Sequence, residues 1–276
     1  MPRAPRTIDA YRADWADFDE WCGTRGVPAM PATGEVIAAY VDELATRRRA
    51  STVQRRLAAI RAAHLDAGLG EATAAPVVGA AMARAKWRQR HAATVTTPVT
   101  VDALRAISRA LPDSVAGARD RAVILVGYGA ALRPSEIVGL GIEDLACTAG
   151  GLRLVTAQRR VTIPFGSAPE LCAVGAWTRW IAATGLVDGP AFRAVDRRGA
   201  VGREALGEKA IGRIIRRAAT AADLDPSCYT GLSLRRGMIG AAAEIGSSRR
   251  QIMVQTGHRS RRLVDTYIAA TPGLVG

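Results

Sequence analysis

At 276 residues the chain is long enough for two domains, each able to bury a core. With 49% apolar residues and a mean hydropathy of +0.06 it is not a disordered chain. It has no apolar run of membrane-span length, and the opening MPRAPRTIDAYRADW has no signal-peptide segment. Against 25 Asp and Glu stand 38 Lys and Arg, a net charge of +13 and a pI near 10.8, which favours a polyanionic partner, nucleic acid above all.

Of the cations, 36 are arginines, and Lys86 and Lys209 are the two lysines; a GC-rich genome explains part of that bias. Cys22, Cys147, Cys172 and Cys228 form no CxxC pair, and His64, His91 and His258 are equally scattered, so neither a zinc site nor a cofactor is expected. Reduced thiols in a cytoplasmic protein, with no membrane partner, are the simplest reading.

The first ninety residues read as helices. TIDAYRADWADFDEWCGTRG places Ile8, Tyr11, Trp15, Phe18 and Trp21 at spacings of three and four and stops at Gly26. PATGEVIAAYVDELATRR repeats the pattern through Val36, Ile37, Tyr40, Val41 and Leu44. STVQRRLAAIRAAHLDAGLG is expected to start on a Ser51 cap and to end at Gly68, with Val53, Leu57, Ile60, His64 and Leu65 inward and Arg55, Arg56 and Arg61 off that stripe. A fourth helix near Ala75–Gln89 ends in the basic RAKWRQRH.

AATVTTPVT, residues 92–100, suits an extended linker, which places a helical domain at 1–91 and a second domain at 101–276. Residues 1–91 carry 14 cations and 10 anions, and residues 92–276 carry 24 and 15. Two basic halves suit a clamp around a duplex. The second half is mostly helical, with one β signal: GLRLVTA and RRVTIP are short β-prone runs between Gly150–Gly151 and Pro164. Helices resume at APELCAVGAWTRWIAAT, EALGEKAIGRIIRRAATAADL, LSLRRGMIGAAAEIG, SRRQIMVQTG and SRRLVDTYI. The fold class expected is mainly α, with a small antiparallel sheet in the second domain.

Three segments of this half stand out. GYGAALRPSEIVGLGIEDL holds Arg133, with Pro134 and Ser135 opening a helix and Glu136 in its first turn; LSLRRGMIGAAAEIG holds Arg235 and Arg236; TGHRSRRLVDTYI holds His258 and Tyr267. In order and spacing they resemble the A-L-R-x-S-E-L, H-x-L-R-R and L-G-H-x-S motifs and the nucleophilic tyrosine of the tyrosine recombinase (phage integrase) family. The resemblance covers nearly the whole chain, because the first helices look like that family's core-binding domain.

The resemblance implies a site-specific recombinase that cuts and rejoins duplex DNA through a 3′-phosphotyrosine, without metal or ATP, and self-associates as a dimer or tetramer on DNA. Attack on a phosphodiester builds negative charge on equatorial oxygens, which paired guanidinium forks meet well. By the match these forks are Arg133 and Arg235, His258 donates a hydrogen bond to the same phosphate, Tyr267 is the nucleophile, and Glu136 orients its neighbours. Arg55, Arg56, Arg61, Arg159, Arg160, Arg236 and Arg259 are candidate DNA contacts.

Two positions depart from the family pattern. Leu232 stands where the second motif begins with histidine, and leucine neither accepts a proton nor binds phosphate. The hairpin RLVTAQRRVTIP has no lysine for the departing 5′ oxygen; Arg159 or Arg160 supplies charge but is a poor proton donor. The nine residues after Tyr267 are short for a C-terminal helix passed to a neighbouring subunit. A recombinase-derived DNA-binding or regulatory protein that no longer cuts is therefore the alternative. An ordinary helical transcription factor accounts for the charge but not for the ordered Arg–Arg–His–Tyr set.

Overall fold

The aromatic stripe of the first segment becomes one face of α1 (Pro5–Gly23), where Phe18 is fully buried and Trp15 and Trp21 pack beside it. In this computed structural model the chain forms two compact units, Met1–Thr94 and Val95–Gly276, and the structure describes residues 5–92 and 96–269. In the first unit α1 packs on α3 (Ala50–Asp66) and α2 (Gly34–Arg47) on α4 (Pro76–Ala92). Ile37, Val41, Val53, Ile60 and Val78 fill the space between them.

Two polar residues are built into that core. His64 is 1% exposed; its Nδ1–H donates to the Ile60 carbonyl at 2.9 Å, and its Nε2 accepts from the Ala32 amide at 3.0 Å. Arg56, expected off the apolar stripe, is instead buried and paired with Asp17, Asp14 and the Tyr40 hydroxyl. These carboxylates and the hydroxyl come from α1 and α2, so periodicity along α3 cannot reveal them. Ser51 lies inside α3, whose N-cap is Arg49.

The second unit begins in an extended run that is pinned down. The Thr97 amide donates to the Cys228 carbonyl and the Val99 amide to the Ser233 carbonyl, and Val99 is fully buried. After α5 (Val101–Ala110), α6 (Val115–Gly129) crosses the core with Val123, Ile124, Leu125 and Val126 all buried. The β signal is a three-stranded antiparallel sheet rather than a two-stranded hairpin. β1 (Leu145–Thr148) pairs with β2 (Gly151–Val155), and β2 with β3 (Arg160–Ile163), with Leu152 facing Ile163 across the register.

α7 (Pro134–Val138) precedes that sheet and α8 (Ala173–Thr184) follows it; α8 starts later than the expected Ala168. A second sheet pairs β4 (Arg193–Val195) with β5 (Val201–Ala205). The expected helix from Glu204 therefore begins only at Glu208, as α9 (Glu208–Ala221). The strand residues of β5 are half-exposed or exposed and lack apolar alternation, so no period-2 signal marks them. α10 (Ser233–Glu244), α11 (Arg249–Thr256) and α12 (Arg261–Ala269) complete the unit. The expectation for the tail beyond Ala269 lies outside the described residues.

Gly237 fixes how the extended run meets α10. A Cβ there would lie 1.8 Å from the Val99 carbonyl oxygen, a backbone atom that cannot swing aside. Alanine gains about 1 kcal/mol of helix propensity over glycine, but relieving this overlap costs more, about 1–3 kcal/mol or above. Gly237→Ala should therefore lower the stability of the full chain in urea denaturation, whereas propensity alone would raise it.

Candidate active site

The C-terminal end of α6 is the foundation of the site. The chain leaves that helix through Ala131 at φ 49°, a left-handed conformation in which the Ala131 amide donates to the Tyr128 carbonyl and the Leu132 amide to the Gly127 carbonyl. This turn leaves the carbonyls of Gly129, Ala130 and Ala131 without helical partners. Gln255 Nε2 reaches the first at 3.0 Å, Arg159 Nη2 the second at 3.0 Å, and Arg235 Nη1 the third at 2.6 Å. The partial negative charge of a helix C-terminus favours the two cations there.

Glu136 ties the same arginines together. Pro134 opens α7, and at the third helical position the Glu136 carboxylate accepts from the Arg133 backbone amide at 2.7 Å. It also receives Arg159 Nη1 at 2.5 Å, and it lies 3.6 Å from Arg133 Nη1 and 3.7 Å from Arg235 Nη1. One carboxylate thus faces three guanidiniums, leaving two positive charges in surplus within this cluster. The Arg235 side chain is 2% exposed and that of Arg133 38%, so one is the floor of the site and the other its rim.

Arg159 reaches Glu136 because the β2–β3 turn is closed by Thr156, whose amide donates to the Arg159 carbonyl and whose Oγ1 accepts from the Arg159 amide. Arg160, next in the chain, is exposed on β3.

His258 arrives by a different device. α11 ends on Gly257 at φ 69°, where a Cβ would come within 3.0 Å of Arg159 Nη1. The reversal brings the His258 ring, 8% exposed, against Arg235 Nη2, which also donates to the Thr256 carbonyl at 2.7 Å. The Thr256 hydroxyl lies 2.7 Å from the Ile252 carbonyl and 2.7 Å from His258 Nδ1. Its single proton goes to the carbonyl, which can only accept, so Nδ1 of a neutral His258 must carry the ring proton and donate it to Oγ1.

Tyr267 stands beside this ring. Its centroid is 5.5 Å from that of His258, with the planes tilted by 48°, and the Arg236 guanidinium lies 5.5 Å over it. Ile239, Ile252 and Val264 form the small apolar cluster on which Tyr267 rests, holding α12 to α10 and α11. Arg236 also donates to the Thr96 carbonyl at 3.0 Å.

The electrostatics follow from this crowding. Burial, then Arg235, Arg133 and Arg159, push the His258 pKa down to about 4, with Glu136 opposing. Burial and then Arg133 bring Arg235 down to about 10, with Glu136 opposing and Arg159 adding to the shift. Among the described residues no group of three or more His, Cys, Asp or Glu side chains is placed to hold a metal ion, and no helix is long and apolar enough to cross a membrane.

The other candidate contacts are dispersed. In the first unit Arg55 pairs with Asp14 at 2.8 Å and Arg61 with Glu71, both keeping exposed surface, while Arg56 turns its donors inward. Arg259 is exposed directly after His258. Sequence reasoning missed Thr256, Gln255 and the α6 carbonyls. A threonine two residues before a histidine, with a glycine between, was the available signal for the first.

Residues 97–273 match the model of the phage integrase family. The chain belongs to that family. It is 32% identical to an integrase/recombinase XerD homolog of Selenomonas ruminantium across 96% of this chain and 82% of that protein. It is 30% identical to tyrosine recombinase XerC of Xylella fastidiosa across 65% of this chain and 59% of the relative. The fold is similar to that of XerH recombinase bound to a palindromic difH substrate, with a TM-score of 0.69 and 13% identity over 96% of this chain and 76% of that one. It also resembles a lambda integrase dimer bound to a COC′ core site, with a TM-score of 0.66 and 17% identity over 99% and 92% of the two chains. In this phage integrase family member Leu232 sits immediately before α10 and is 38% exposed.

Two measurements probe the site itself. Glu136→Ala would leave three guanidiniums repelling one another and should destabilise the chain by about 3 kcal/mol in urea denaturation. His258 should titrate near 4 in the free protein by ring NMR, below its ordinary 6.5. The folded state then binds fewer protons than the unfolded one, so this residue's contribution to stability is complete above about 6.5 and is lost as pH falls toward 4. His258→Gln should flatten that dependence.

Proposed function

We propose that the chain is a site-specific tyrosine recombinase that cuts and rejoins duplex DNA through a 3′-phosphotyrosine. The observation that carries this reading is the cluster of Arg133, Arg159 and Arg235 around Glu136, two positive charges in surplus, with His258 between Arg235 and the Tyr267 ring. A phosphodiester brings one negative charge and its pentacoordinate transition state a second, so the surplus matches the transition state better than the ground state. Arg133 and Arg235 bind the non-bridging oxygens, Arg159 and Glu136 hold them in place, and Tyr267 attacks phosphorus.

Arg55, Arg61, Arg160 and Arg259 have surface to offer the DNA backbone, and both halves of the chain are basic. By analogy with the dimeric and tetrameric DNA complexes of lambda integrase, the chain assembles as a dimer or tetramer on its site. A second reading, a recombinase-derived protein that binds without cutting, is favoured by Leu232, a hydrocarbon side chain at the start of the arginine-bearing helix.

A nicked suicide duplex that traps covalent protein–DNA adducts separates the two. Tyr267→Phe should abolish the adduct and leave affinity nearly unchanged, since one hydroxyl is removed. Arg133→Ala and Arg235→Ala should also abolish it, each removing a charge placed for the transition state. Absence of any adduct with the unaltered chain would leave the binding protein standing. In either case affinity should fall by about 10³-fold or more between 50 and 200 mM salt if roughly six or more phosphates are neutralised.

A further inference from the structure

A second concentration of positive charge lies away from the candidate active site. There a cavity of about 700 Å³ is bounded by the end of α5, by α6, by the loop after β3 and by the start of α8. Arg121, on its wall, stands eight residues before Gly129, about 12 Å along α6 from the helix end that meets Arg159 and Arg235. Glu170 is the one carboxylate lining the cavity, and it is already shared by Arg109 at 2.5 Å and Arg105 at 3.8 Å. Arg179, also on the wall, has the solvent-exposed Asp113 carboxylate 3.9 Å away. Among the described residues, then, no carboxylate is within hydrogen-bond reach of Arg121 or Arg179.

Arg121 is fixed along one edge only. Its Nε and Nη2 donate to the Ser108 carbonyl at 3.1 and 3.0 Å, and Nη2 also donates to the Leu111 carbonyl at 2.9 Å. Nη1, on the other edge, is buried and meets no acceptor among the described residues. Ser108 Oγ is likewise unmet, in a residue 1% exposed that lines the same cavity. Buried donors left without partners are costly, and an incoming oxygen would relieve both. Burial and then Arg179 lower the Arg121 pKa, with Asp113 opposing, so the two guanidiniums repel each other. The start of α8 adds the positive end of a twelve-residue helix: Cys172, its N-cap, accepts from the Gly175 amide at 3.4 Å, and both residues border the cavity.

We propose that this cavity binds a phosphate dianion, free or as the monoester of a small molecule, between Arg121, Arg179 and the start of α8. The charges match: a phosphate monoester carries about two negative charges at neutral pH, and the two arginines carry two positive ones. A DNA phosphodiester carries a single charge, which leaves one guanidinium uncompensated. The unmet donors of Arg121 and Ser108 are also buried, so a small ligand that enters the cavity suits them better than a duplex lying on the surface. Guanidinium forks and helix amides are the donors that phosphate oxygens accept from most readily. The cavity is large enough to hold the organic part of an ester as well. Its occupancy does not require DNA cleavage, because none of its lining residues belongs to the Tyr267 site.

Cys172 reports occupancy in the full chain. Alkylation by N-ethylmaleimide, mapped by peptide mass spectrometry, reads each thiol separately, with the exposed Cys147 and the partly exposed Cys228 as internal controls. The probes are inorganic phosphate and ribose 5-phosphate, each titrated at constant ionic strength against sodium chloride. Either probe at saturation should slow Cys172 alkylation severalfold and leave Cys147 and Cys228 unchanged. Tighter protection by ribose 5-phosphate identifies an ester as the ligand, and equal protection identifies phosphate itself. Arg179→Gln removes an exposed side chain with no close pair, so the chain should fold; it should weaken protection by about 10-fold, and Arg179→Lys should restore part of it. Arg121→Met should abolish protection, and if that variant fails to fold the Arg179 pair decides. The assignment is overturned if neither probe protects Cys172 at millimolar concentration, or if Arg179→Gln is protected as well as the unaltered chain. Protection by duplex DNA but not by either probe also overturns it, and makes this surface a DNA contact.

Discussion

Burying the Arg235 guanidinium is the constraint on which this half of the molecule depends. A cation almost wholly removed from water costs several kcal/mol unless its donors are met. Here they are met by the Ala131 and Thr256 carbonyls, the His258 ring and the nearby Glu136 carboxylate. Those partners come from the α6–α7 junction and the end of α11, so one side chain on α10 ties together segments more than 100 residues apart in sequence. The left-handed backbone at Ala131 is tolerated because it aims the carbonyl that Arg235 needs.

The same arrangement is unbalanced by design of its charges. Glu136 offsets one of three arginines, and the α6 terminus adds only partial charges. Repulsion among the remaining cations appears in the lowered pKa values of Arg235 and His258, each also driven by burial. An anion arriving there relieves that repulsion, and an anion whose charge grows during reaction relieves it further. Rigid partners matter as much as charge, because guanidiniums already held by carbonyls need not reorganise when the charge develops.

Much of the fold was legible from periodicity. The helices of the first unit appear where apolar residues recur at three and four, and Gly26 and Gly68 adopt the left-handed angles that their positions after helices suggested. β5 was not legible: its exposed GREA run lacks alternation, and its pairing with β4 depends on a partner brought up by the chain. Arg56 shows the same limit, since a cation on a helix reads as surface until Asp14, Asp17 and Tyr40 are seen around it.

The sequence alone determined the residue types and their order: arginine before a Pro–Ser–Glu helix start, an arginine pair, then Gly–His and a tyrosine nine residues beyond that histidine. The phosphoryl transfer proposed above needs fixed cations and a nucleophile, whatever scaffold presents them. Which arginine is floor and which is rim, that Arg159 is spent on Glu136, and that the Thr256 hydroxyl meets His258 Nδ1 were settled only by tertiary structure. Burial, hydrogen-bond direction and tautomer are properties of the atoms a side chain meets, and those atoms come from distant parts of the chain.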